Sequence, residues 1–101
     1  MNAMERIFPE PGMLVFSTAG RDFGSPYLII SIVDERFVFV ADGEIRKLGR
    51  PKRKNIRHLS LTGLTEENIS VKLKEGFFSS DAELRRAIDG LVSSQKNEQR
   101  S

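Results

Sequence analysis

Arg46, Lys47, Arg50, Lys52, Arg53, Lys54 and Arg57 fall within residues 44–62, where Glu44 is the sole opposing charge. That window therefore carries +6, while residues 1–43 hold three cations against six carboxylates and residues 63–101 hold six against seven. Cations so close together repel one another, and a polyanion that supplies phosphates and releases its counterions relieves the repulsion. Nucleic acid is the natural ligand; the competing reading is a solvated Lys/Arg loop with no partner. The other chemistry-bearing residues offer less. His58 is the single histidine, and nothing in the spacing builds a triad or metal site around it, so a surface strand position or a minor RNA contact is expected. Asp34-Glu35 reads as a turn, Asp42 precedes Gly43, and Glu66-Glu67 opens a helix; no pair of carboxylates is set up for acid–base work. With no cysteine, thiolate catalysis, cysteine zinc sites, iron–sulfur ligation and disulfides are all excluded. The expectation is a non-enzymatic protein with no metal, cofactor or small-molecule substrate.

The elements that must position these cations come from 101 residues, enough for one small domain and too few for a large internal cavity. No apolar run approaches the length of a membrane span, and residues 1–12 lack the basic head and apolar stretch of a signal peptide. A soluble cytoplasmic protein is the default expectation, with no membrane partner.

Residues 12–18 form a short apolar run behind Pro9 and Pro11 and read as a strand. The Gly20 to Gly24 loop follows, then a second strand over residues 26–33 that is too rich in Ile to lie half exposed. After the Asp34-Glu35 turn, residues 36–41 place Phe37 and Phe39 on one face and Val38 and Val40 on the other. Asp42-Gly43 suits a tight turn into the basic segment. Pro51 has no amide hydrogen, so residues 49–54 are expected as an exposed loop, with a fourth strand over residues 56–61 sharing Arg57, Leu59 and Leu61 on one face. The period then changes. Thr65 is expected to cap a helix with Ile69, Leu73 and Val71 on its apolar side, ending at Gly76. Ser80 and Glu83 form a capping box for a second helix over residues 81–93, with Leu84, Ile88 and Leu91 inward. Phe77 and Phe78 are expected to dock this helical unit on the sheet, and residues beyond 93 to form a flexible tail. Four or five short strands of this spacing suit a small barrel.

The strand from Gly12, the Gly20–Gly24 loop and the second apolar strand together resemble a KOW motif. The continuation through Gly43, the basic run and Ile56-Arg-His-Leu-Ser-Leu-Thr62 resembles the small bacterial KOW-domain RNA-binding proteins, themselves similar to a KOW-bearing large-subunit ribosomal protein of archaea and eukaryotes. Ala-Glu-Leu-Arg-Arg-Ala, residues 82–87, also fits the C-terminal helix of the bacterial form. The resemblance covers about residues 12–91. It implies an SH3-like β-barrel that binds structured RNA, often ribosomal RNA, without catalysis, with Gly20, Arg21 and Gly24 near the RNA backbone and Arg46 to Arg57 on phosphates. Many KOW loops carry Lys beside the second glycine, where this chain has Phe23 and Ser25. More of the binding therefore falls on residues 46–57, and Phe23 either stacks on an unpaired base or packs under its own loop.

The expected architecture is mainly β with C-terminal helices: an extended lead-in (1–11), a KOW/SH3-like barrel (12–62), two short packed helices (63–93) and a tail (94–101). The RNA-binding set is Arg21, Phe23, Arg46, Lys47, Arg50, Lys52, Arg53, Lys54 and Arg57, with Gly20, Gly24 and Gly43 as structural loop glycines. The partner is RNA, ribosomal by resemblance, or ribosomal particles. An SH3-like module that grips an acidic protein segment is the alternative.

Overall fold

A computed structural model describes residues 6–76 and 80–100; Phe77 and Phe78 lie outside the described residues. Five strands form one antiparallel sheet: β1 (Met13–Ser17), β2 (Pro26–Ile32), β3 (Phe37–Ala41), β4 (Lys52–Asn55) and β5 (Leu59–Thr65), with a 3-10 turn, Ile56–His58, between the last two. Two helices follow, α1 (Glu67–Lys74) and α2 (Asp81–Arg100). The strand order is β4-β3-β2-β1-β5, so β4 and β5 are edges and hydrogen bonding does not close the sheet. The closed barrel expected from the sequence is thus present only as an open, curled sheet.

Strand alternation gives the sheet two apolar faces. Met13, Val15, Tyr27, Ile29, Val38, Val40 and Leu59 pack together on the inner face. Leu14, Leu28 and Ala41 on the outer face meet Ile69 of α1 and Leu84 and Ile88 of α2. Each fully buried aliphatic side chain of this kind contributes about 1.5–3 kcal/mol, which suffices to hold both helices on one side of the sheet. The registers slip once between β1 and β5 and once between β2 and β3. Thr62 Oγ1 donates to the Leu14 carbonyl at the first slip (2.7 Å), tying β5 to β1 where the register shifts.

The three-strand meander and the face assignment of β3 follow the sequence reading. The basic segment departs from it: residues 52–55 are not loop but strand, paired with β3 from Phe37↔Asn55 to Val40↔Lys52. Pro51 sits just before the strand, where its missing amide costs no ladder bond. The fourth strand expected over 56–61 is instead split, its first half being the 3-10 turn capped by Asn55, whose side chain accepts from Arg57 N. Glu66 rather than Thr65 caps α1, accepting from Ile69 N at 2.7 Å. Ser80 accepts from Glu83 N at 3.1 Å, as the capping box requires. The backbone of α2 stays helical to Arg100 rather than ending near residue 93; Gln, Lys, Glu and Arg are good helix formers and no Gly or Pro interrupts them.

Candidate nucleic-acid interface

Pairing of β1 with β2, β2 with β3 and β3 with β4 brings the β1–β2 and β3–β4 loops to the same end of the sheet. The first loop turns on Gly20 and Gly24, both with positive φ, and is closed by Ser17 N to Ser25 O (2.9 Å) and Gly24 N to Ser17 O (2.7 Å). Its middle residue, Asp22, points inward, and its neighbours Arg21 and Phe23 point to solvent. Phe23 is 73% exposed, so it does not pack under its own loop.

Asp22 is the most heavily bonded side chain of the region. Its carboxylate accepts from Ser17 Oγ (2.8 Å), Tyr27 OH (2.7 Å), Lys54 Nζ (3.1 Å) and Lys52 Nζ (3.3 Å). Lys54 Nζ also donates to Ser17 Oγ at 3.0 Å. Burial alone would push the Asp22 carboxyl up, but the hydrogen bonds from Tyr27, Ser17, Lys54 and Lys52 overcome it and hold the group well below the usual carboxylate range. Burial, then the hydrogen bond to Asp22 and that carboxylate's charge, push the Tyr27 phenol well above its ordinary value. This clasp ties the β1–β2 loop across to β4.

The β3–β4 loop is fixed at both ends. Asp42 Oδ1 accepts from Glu44 N (2.9 Å) and Arg46 N (2.8 Å), and Asp81 Oδ1 at the start of α2 accepts from Leu48 N (2.8 Å). Gly43 is needed twice over: its φ is +79°, and a Cβ there would collide with the Asp81 carbonyl oxygen. Lys47 and Arg50 on this loop are exposed and Arg46 is half-buried.

The predicted binding residues thus divide. Arg21, Phe23, Arg46, Lys47 and Arg50 share the loop end of the sheet. Lys52 and Lys54 come to the same end but turn inward to Asp22; Lys54 is only 8% exposed, and its charge is spent inside the fold, not on the surface. Alternation on β4 sends Arg53 the other way, to the outer face, where its guanidinium lies 3.9 Å from the centroid of the Phe37 ring. Arg57, exposed, lies past the far end of β4 beside Arg36. His58 is exposed, and its carbonyl accepts from Thr18 N at 2.9 Å. Sequence reasoning missed Asp22, Ser17, Tyr27 and Phe37. The available signal was Lys-x-Lys at strand spacing, a pattern that puts two ammonium groups on one face and requires a carboxylate opposite if that face is interior.

No group of three or more metal-ligating side chains occurs among the described residues, and none of their helices is long and apolar enough to cross a membrane. Fold and surface together define a small β-sheet protein with two helices on one face and exposed cations at one end of the sheet. No family model matches the chain. It is similar to the large ribosomal subunit protein eL14 of Desulfurococcus amylolyticus, with 38% identity over 80 residues that span 78% of this chain and 75% of that protein. The chain belongs to the family of the large ribosomal subunit protein eL14.

Proposed function

We propose that the chain is a non-catalytic ribosomal protein that binds ribosomal or other structured RNA through the cations of the β3–β4 loop, assisted by the β1–β2 loop. Membership of a large-subunit ribosomal protein family supports the class of partner. The observation that carries the site is the convergence of Arg21, Phe23, Arg46, Lys47 and Arg50 at one end of the sheet, on loops fixed by Asp22 and Asp81. Preset cations lose less side-chain and loop entropy on meeting a phosphate backbone than a floppy tail does. Contacts of this kind read phosphate and 2′-hydroxyl more than base, as the minor-groove edge of an A-form helix demands. Phe23 is free to stack on an unpaired base. A translational role implies a cytoplasmic location, and the likeness of residues 82–87 supports placing the chain with the small bacterial KOW-domain forms.

The test is the salt dependence of binding to structured ribosomal RNA. If the four loop-end cations each neutralise one phosphate, the logarithm of the association constant falls against the logarithm of salt with a slope of about −3.6, taking the B-DNA coefficient. RNA binding that ignores salt would overturn this reading, and a partner retained after nuclease and high salt would point to a protein module instead.

A further inference from the structure

The outer face of the sheet is apolar along much of its width, but the helices cover only part of it. Leu14, Leu28 and Ala41 lie beneath α1 and α2. Phe37 and Phe39, on the same face of β3, belong to neither core and remain half-exposed. Arg53 stands directly across from Phe39 on edge strand β4 and lays its guanidinium over the Phe37 ring. Its guanidinium carbon sits 3.9 Å from the ring centroid and the residue is exposed, so the side of the group away from the ring is open to a ligand. Phe37 pairs in register with Asn55, and just beyond that pair Arg36, Asn55 and Arg57, with Glu35 and Ile56, line an open hollow. Asp34 is close by, but its Oδ1 is engaged by the amides of Arg36 (2.8 Å) and Phe37 (2.9 Å). Three arginines against these two carboxylates leave the corner positive.

We propose that this corner is a second RNA contact, built from residues other than the loop cations: a ledge on which one unpaired base stacks against the open side of Arg53, backed by Phe37, while Arg36 and Arg57 hold the flanking phosphates. Planar guanidinium on one side and cations on the other is the arrangement that holds a splayed base together with its backbone. A base inside a duplex is already stacked and cannot enter, so the ledge selects single-stranded over paired RNA, whereas the loop end accepts both. The ledge rests on the RNA reading above, and its test separates the two.

Two probes serve: a short uridine-rich RNA strand carrying one 5-iodouridine, and an RNA duplex of matched length. Phe37→Leu keeps an apolar strand residue and Arg53→Gln changes an exposed one, and thermal melting checks that both fold. Each variant weakens binding of the single strand by roughly five- to tenfold and leaves the duplex within about twofold. Irradiation of the wild-type complex cross-links the iodouridine to the peptide containing Arg53, the side chain on which the base rests. Equal loss on both probes, or no loss on the single strand while the wild type binds both, overturns the ledge and leaves the loop-end reading standing. Failure of the wild type to bind either probe overturns that reading and the ledge with it.

Discussion

Lys52 and Lys54 on β4 and Lys47 and Arg50 on the preceding loop come from one run of basic residues, yet the fold uses them in opposite ways. Lys54 is buried and Lys52, more than a third exposed, leans to the same carboxylate, Asp22, which also accepts from Ser17 and Tyr27. The loop cations face water and have no acidic partner among the described residues. Charge density along a chain therefore overstates the charge at a surface. Once a basic run enters a strand, alternation hands every second cation to the interior, where it must be paired.

The largest effect expected from this contrast is at Asp22. Asp22→Asn keeps the shape but leaves Lys54 buried without its counter-charge, and breaking a buried pair this way costs about 3–5 kcal/mol. For a domain of this size that lowers Tm by on the order of 15 °C, measurable by calorimetry. A loss below about 1 kcal/mol would mean that the clasp is not the interior device described here. Acid sharpens the same point. The carboxyl is held below its unfolded value of about 3.9, so its contribution is fully present above that pH and disappears as pH falls toward the depressed folded value. Urea midpoints of the wild type should drop between pH about 5 and 2, and Asp22→Asn should flatten that part of the profile.

Next in size is the phenol. Tyr27 is the only tyrosine and the chain has no tryptophan, so tyrosinate absorbance reports one group. Burial and the Asp22 carboxylate raise its folded pKa, so the folded protein keeps the phenol protonated at pH about 10, where an unfolded tyrosine is half ionised. Stability from this group is present below that pH and fades as pH climbs toward the folded value. Asp22→Asn removes the hydrogen bond to the carboxylate and its charge and should bring the titration down. An unchanged titration curve would show that burial and the charge of Asp42 set it without Asp22.

Much of this was legible in the sequence and some of it was not, for physical reasons. Alternation in β1 to β3 and the Ser80–Glu83 box are local patterns, and local patterns carry through into the fold. Lys52-Arg-Lys-Asn55 contains no apolar residue, so hydrophobic periodicity has nothing to register, and its strand character comes from pairing with β3 alone. The role of Asp22 depends on Lys54, thirty-two residues away, a contact that exists only after the sheet curls. Arg53 was legible as a cation but not as the cover of Phe37, because that contact too is made across strands. The loop cations Arg46, Lys47 and Arg50 were the easiest to read, since a turn signal at Asp42-Gly43 already places them outside the sheet.

The smallest effect on stability, and the most direct on binding, is expected at the loop. Lys47→Gln with Arg50→Gln removes two exposed charges that make no ion pair among the described residues, so unfolding free energy should stay within about 0.5 kcal/mol of the wild type. The same double variant should make the RNA salt slope shallower by about 1.8, two phosphates at roughly 0.9 each. The strand lysines give the mirror result. Lys54→Met removes a buried ammonium, relieves Asp22 of one donor and destabilises the fold, yet leaves the salt slope of the surviving folded protein unchanged, because that ammonium never faced a phosphate. Should Lys54→Met flatten the slope as much as the loop pair does, the buried lysine must swing out on binding, and the division between interior and surface cations would be a property of the free protein alone.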